Sequence, residues 1–488
     1  YKIFCLGVID GSATSHNYNS ETNRFEPLNV TGAAKYQLSF TPDSSKVLVP
    51  FCIGYYTPKY NHFNAGQDAT FGGVASPSST YTDANGLGEF YYQPPSGALA
   101  LCTANFADFT PNVDDDNPED YFKCVTWTGG GDYQRKITVG TFLPDLIWVK
   151  NRDTAVSHTI YDSLRGYGDN KILHSDAPNV ESAGGASGYI ASTSSSDNSF
   201  TFGGTSSTGS DLYYTDRTGD KFCSWNWKAG GVPTEDNTAT SGAMTSTDSN
   251  NSSVSLNGVL QSSYTPAGSP SIYPKQMSIN TEAGFSIVKY SGNSSANSKI
   301  PHGLNSKVEF SIIKGLNTGQ AWSIYHKDSS GGLLFSSAIA GSGYDHSASG
   351  DNLINVSSWD GVNGGYNYIM YCWHSVDGFS KISSYIGNAS ADGPFVHTGF
   401  KPAFVLLKHS TGSGQHWWIY DSTRDPINYV GRSLYANLSS TEGSYAEALD
   451  FLSNGFKIKT NSNVINGDGQ TCVYMAFAEQ PTKFANAR

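Results

Sequence analysis

At 488 residues the chain exceeds the size at which a single hydrophobic core stops growing, so several domains are expected. Thirty tyrosines, 25 phenylalanines and 52 glycines, set against four methionines and 15% charged residues, favour strands and turns and exclude a helical bundle. A formal net charge of -12 excludes a surface built to neutralise phosphates, so nucleic acid is not an expected partner.

In chain order, residues 1–120 read as an N-terminal β region. The chain opens on Tyr1-Lys2-Ile3-Phe4 without an initiator Met, and is expected to begin inside its gene product. No run of apolar residues reaches the length that spans a bilayer, and no basic segment followed by an apolar one marks a signal peptide; membrane insertion is not expected. The alternation in Lys46-Val47-Leu48-Val49-Pro50-Phe51-Cys52-Ile53, then Gly66 to Phe71 and Phe90 to Gly97, reads as strands and turns. The acidic stretch Asp114 to Asp120 is broken by Pro118 and lacks the spaced ligands of a calcium loop, so it is expected to be a solvated turn.

Three later segments repeat one order of elements. Each opens on an aromatic-x-Gly turn (Trp127-Thr128-Gly129, Tyr290-Ser291-Gly292, Tyr385-Ile386-Gly387), runs into an apolar strand ending in lysine (Lys150, Lys314, Lys408), and continues to an Ile-Tyr strand (Ile160-Tyr161, Ile324-Tyr325, Ile419-Tyr420). Turn to lysine is 23, 24 and 23 residues, and lysine to tyrosine is 11, 11 and 12. Three copies in register to one residue define modules at 121–231, 281–376 and 377–488. Short apolar runs broken by Gly, Asn, Ser and Pro predict tandem antiparallel β-sandwiches, an all-β fold. Residues 232–280, rich in Ser, Thr and Asn, are expected to be a linker or arm whose second half docks through Val259, Leu260, Tyr264, Ile272 and Tyr273. Ser444 to Leu452 is the main local exception, with a pattern that fits about two helical turns.

The repeated lysine beside a Tyr-Asp strand invites a catalytic reading, but an active site seldom occurs three times in one chain, and the middle copy replaces Asp with His326. The lysine is instead expected to reach solvent or pair with an Asp. His158, His302, His326, His397, His409 and His416 form no ligand pair at metal-binding spacing, and no nucleophile elbow or phosphate loop is present, so no catalytic residue, metal or cofactor is predicted. Seven scattered cysteines, Cys5, Cys52, Cys102, Cys124, Cys223, Cys372 and Cys472, contain no C-x-x-C and are expected to be reduced core residues, as in a protein folded in a reducing cytoplasm. Trp322 and Trp417 stand at equivalent positions and are expected in the core. Trp418, with its neighbour His416, is specific to module three and is the predicted ligand-binding pair.

Residues 46 to 105, with Gly66-Gln67-Asp68 and Tyr92-Gln93-Pro94-Pro95-Ser96-Gly97, resemble the closing strands of SPRY or concanavalin-like sandwiches in large phage proteins. The Tyr-x-Gly-Asn turn, the apolar strand ending in lysine and the closing Trp225-Asn226-Trp227-Lys228-Ala229-Gly230-Gly231 resemble a module of marine tailed-phage structural proteins. The resemblance implies a non-enzymatic tail fibre or similar appendage on the virion surface, made in the host bacterial cytoplasm. It also implies a homo-oligomer, with a trimer favoured, in contact with other virion proteins and with host-surface glycan. A capsid decoration protein is the alternative, and a glycan depolymerase tailspike the third option. Host attachment is expected in module three, because the C-terminal end is the usual distal end of such fibres.

Overall fold

The structure is a computed structural model that describes residues 15–19, 24–28, 69–70, 76–94, 100, 117–205, 209–248, 250–335, 345–410 and 415–478. The chain divides into two compact units, Tyr1–Phe109 and Thr110–Arg488. In the first, β1 (Ser15–Asn19) and β2 (Arg24–Leu28) form an antiparallel hairpin. Tyr81 bridges Phe90 across a turn that the Asp83 carboxylate closes, accepting the N–H groups of Asn85, Leu87 and Ala100. Most of the SPRY-like stretch, including residues 46–68 and 101–105, and the acids Asp114 to Asp116, lie outside the described residues.

The second unit is all-β. Module one comprises β3 (Phe122–Thr128), β4 (Lys136–Thr138), β5 (Leu146–Asn151), β6 (Thr159–Asp162), β7 (Tyr189–Ser194), β8 (Ser199–Gly203) and β9 (Lys221–Trp227). They form a sheet of order β3-β9-β5-β6 and a second of order β4-β8-β7. Alternation explains why β5 reads as an unbroken apolar run. Ile147 and Val149 point between the two sheets, with Trp127, Phe200, Phe202 and Phe222, while Leu146 and Trp148 point out of the sandwich into a second core. A strand buried on both faces has no polar side to show.

Residues 232–280 are not a separate linker in the structure. They carry β10 (Met244–Thr245), β11 (Val254–Leu256), β12 (Val259–Leu260), β13 (Ser263–Tyr264) and β14 (Gln276–Asn280), ahead of β15 (Phe285–Ser291), β16 (Ser298–Pro301), β17 (Phe310–Gly315), β18 (Ser323–His326), β19 (Leu333–Leu334), β20 (His346–Ser349), β21 (Leu353–Val356) and β22 (Asn367–Trp373). The main sheet of module two runs β12-β11-β14-β15-β22-β17-β18-β19, with β11 parallel to β14, and β16-β21-β20 forms the second sheet. The Ser-rich segment gains a core by joining one: Met244, Val254, Ile272, Met277 and Ile279 pack with Val288, Tyr290 and Tyr368.

Module three holds β23 (Ser380–Ile386), β24 (Phe395–His397), β25 (Pro402–His409), β26 (Trp418–Asp421), β27 (Val430–Tyr435), β28 (Gly443–Leu452), β29 (Gly455–Ile458) and β30 (Thr471–Ala478), ordered β23-β30-β25-β26-β27-β28-β29-β24. The stretch expected to be helical is therefore strand β28. Its end forms a tight hairpin with β29, which buries Leu449 and Phe451 on the inner face, and this tertiary pairing overrides the local helical pattern.

The three modules share a core. Phe122, Trp148, Trp225 and Trp227 of module one, Phe285, Phe310, Trp322 and Trp373 of module two, and Phe379, Phe404, Trp417 and Phe477 of module three belong to one buried cluster. Phe122 stacks on Phe477 at 4.8 Å between ring centres, Trp227 meets Trp373 at 6.3 Å, and Phe310 meets Trp417 at 6.1 Å. The tandem sandwiches thus close on one another as a single body.

Candidate functional site

The residues that recur with chemical potential lie where the modules meet. The three repeat lysines are buried and do not reach solvent, and each donates to backbone carbonyls. Lys150 donates to the carbonyls of Asn151 and Val156 and, across to module three, Ser439. Lys314 donates to those of Gly315 and Gln320 and, across to module one, Pro178. Lys408 donates to Gln415 O at 2.6 Å. Burial pulls each ammonium pKa down to about 8. Carbonyl ligation of this kind ties down the loop after each strand and offers no open nucleophile.

The Asp-Ser-x-Arg motif forms a second set. Asp162 accepts Arg165 Nε at 2.5 Å and Tyr371 Oη of module two at 2.7 Å. Asp421 accepts Arg424 Nε at 2.5 Å and Trp225 Nε1 of module one at 3.0 Å. Paired registers through β5, β17 and β25 make Trp225, Tyr371 and Met475 equivalent, so each carboxylate receives the closing strand of the neighbouring module. The remaining interface has neither half. Met475 has no donor, and His326 stands in place of the aspartate and meets the carbonyl of Tyr474 in module three at 3.2 Å. Glu442 joins the set by binding both Arg152 of module one and Arg424, at 2.7 and 2.9 Å. Burial alone would raise its pKa, but the two guanidinium groups bring it below the ordinary value.

A third set follows the same circuit. Trp322 donates to His174 O of module one at 2.7 Å, Trp417 donates to Leu334 O of module two at 3.1 Å, and His158, at the equivalent position of module one, faces the backbone of Tyr435 and Leu438 in module three. Module one therefore reaches module three, three reaches two, and two reaches one. The contacts form a ring with approximate threefold repetition.

The predicted pair does not form a surface site. Trp418 is 3% exposed, stacks on Tyr420 at 6.1 Å and meets Tyr435 edge-on at 4.7 Å inside module three's own core. His416 is half-buried, accepts from Asn437 Nδ2 at 3.1 Å and lies against the same Tyr435 ring, and burial lowers its pKa. Trp418 follows inward-facing alternation opposite to Trp417, so adjacent tryptophans enter two different cores. Among the described residues no three His, Cys, Asp or Glu side chains cluster as a metal site, and Cys124, Cys223, Cys372 and Cys472 are free and buried.

Among the described residues of module three, the exposed large aromatics are Phe395, at 45% exposure, and Tyr429, at 65%. No repeat pattern marks either one: Phe395 stands where the other copies have Lys136 and Lys299, and Tyr429 lies beside β27, which has no counterpart in the three-stranded second sheets of modules one and two.

Searches of curated proteins and of solved structures gave no match. Residues 117–272 and 270–481 each match the family described as a domain of unknown function, DUF7483, and together they cover well over half of the chain. The shared core and the ring of module contacts lie within these matches, and the chain belongs to the DUF7483 family.

Proposed function

We propose that the chain is a non-enzymatic structural protein of a tailed-phage particle, a tail fibre or comparable surface appendage that presents a host-binding face. The observation that carries this reading is the use made of the repeated polar groups. Lysines, Asp-Arg pairs and indole N–H groups that a catalyst would expose are buried and spent on joining module to module. A body in which chemistry has been committed to cohesion suits a part that must survive outside the cell. The resemblance of the repeat to phage structural modules points the same way, and host-surface glycan is the proposed ligand.

Immunogold labelling of particles from the encoding phage tests the assignment. Label at tail fibres or another appendage is expected, and particles without label would overturn it. Incubating the purified chain with host polysaccharide is expected to release no reducing ends; release would favour a depolymerase.

A further inference from the structure

We infer that the outer face of the β27-β28-β29-β24 sheet in module three is a binding platform for a neutral oligosaccharide, with Phe395 and Tyr429 as its two stacking aromatics. The inference deepens the appendage reading and rests on it for its biological sense.

Register places three residues in one row, and Tyr429, the residue just before β27, extends it. Phe395 pairs with Lys457, Lys457 with Asp450, and Val430 pairs with Leu449, which sets Tyr429 beside Asp450. Asn428 confirms the alignment, because its side chain donates to Phe451 O and accepts Phe451 N–H, as a ladder partner would. The inward row of Val396, Phe456 and Phe451 belongs to the core, so Phe395, Lys457, Asp450 and Tyr429 face out.

The other modules supply a comparison at the same positions. In module one the row is Lys136, Thr201 and Ser192, and in module two it is Lys299, Asn355 and Ser347. The inward rows stay apolar in all three copies, with Ile137 and Phe200 in the first and Ile300 and Ile354 in the second. In module three the outward row gains an aromatic at Phe395 and is lengthened by β27, which brings Tyr429 and has no counterpart in the other two modules. A scaffold kept on one face and altered on the other is the arrangement of a site grafted onto a fold.

The chemistry between the rings selects the ligand. Three strand spacings separate Phe395 from Tyr429, about 14 Å, the span of a short oligosaccharide. Phe395 Cε2 lies 3.1 Å from where a Cβ on Gly455 would stand, so the glycine leaves room for the ring to lie across the sheet. Strand β24 is the end of the sheet order, which leaves the row open on that side. Lys457 pairs with Asp392 at 2.6 Å and Lys459 with Asp450 at 3.8 Å, so the charges cancel while donors and acceptors remain in place for hydroxyl groups. A protein partner would want a continuous apolar patch, and an anionic glycan an excess of cations. Flat apolar faces at both ends with balanced polar groups between them match the amphipathic faces of uncharged sugars.

The test titrates the purified full chain with neutral glucan, mannan and galactan hexasaccharides and with an alginate hexasaccharide as the acidic probe. Binding of at least one neutral probe is expected, falling more than tenfold in the Phe395→Ala/Tyr429→Ala double variant and severalfold in Lys457→Gln. Tyr133→Ala, an exposed aromatic of module one, is expected to bind as the parent does. Unchanged melting temperatures certify folding; should the double variant melt early, Tyr429→Ala alone carries the comparison. Overturning results are binding to alginate only, binding to none of the probes, or affinity unaltered by the aromatic variants. Absence from phage particles would remove the appendage reading while leaving this titration to decide the site.

Discussion

His326 and Met475 show how one position explains another. At two interfaces a carboxylate held by an arginine accepts an indole or phenol from the next module, and at the third both halves are missing together. Placing an aspartate at 326 alone buries a charge with no arginine three residues on, where Ser329 stands, and no donor opposite. His326→Asp is expected to cost about 3–5 kcal/mol in chemical denaturation, as breaking a buried pair does. The triple variant His326→Asp/Ser329→Arg/Met475→Trp, which rebuilds the set, is expected to recover at least half of that loss. A neutral His326→Asp, or no recovery in the triple variant, would show that the three interfaces are not equivalent. The sequence made the substitution at 326 visible but not its partner, because Met475 lies 149 positions away and only the register through β25 and β30 brings the two together.

At the scale of elements, the strands were the most legible part. Spacing to one residue located β5, β17 and β25, and placed Trp322 and Trp417 as equivalent core residues, which the structure buries. Two elements misled for identifiable reasons. Ser444 to Leu452 has a helical look locally, but β28 is fixed by long-range pairing that no local window contains. Residues 232–280 cannot make a core alone and so read as a linker or an arm docked through its second half; Ile272, Tyr264 and Tyr273 do pack on the module-two core, while Val259 and Leu260 stay exposed. For the predicted ligand pair, alternation shows that Trp418 faces away from Trp417 but not that a second core waits there, in which Trp418 is buried while His416 stays half-buried. Edge strand β12 bears on the proposed homo-oligomer. Val259 is 61% exposed and Leu260 37%, at the open end of the eight-stranded sheet of module two. An unpaired apolar edge of this kind invites another chain. Val259→Lys is expected to lower the mass found by light scattering, to monomer, without lowering the melting temperature of the modules; a parent chain that is already monomeric would contradict the oligomer.

The whole molecule carries a pH dependence that follows from its cohesion. Burial lowers the pKa of His302 and His346 to about 3 and of His326 to about 4, and it holds His158 well below the ordinary imidazole value. Unfolded, these imidazoles take up protons near pH 6.5, so stability is full above that value and is lost as pH falls toward 4. Asp145, whose pKa burial raises to about 6, acts in the opposite sense between pH 6 and 3.8, as do Asp216 and Asp345, whose pKa burial also raises, but the buried histidines outnumber them. Stability is therefore expected to fall with pH near 5.5. Melting temperatures at pH 7.5, 6.5 and 5.5 are expected to fall slightly across the first step and more steeply across the second; a rise on acidification would be the contrary result.

The central claim is that three modules are one body, joined by a shared aromatic core and a ring of buried polar contacts, rather than three beads on a chain. Hydrogen exchange of the full chain, followed by mass spectrometry across a denaturant series, measures this directly through the amides of β5, β17 and β25, one central strand from each module. The account predicts that all three lose protection at the same denaturant concentration and with the same slope. Loss of protection in three separate steps would contradict it.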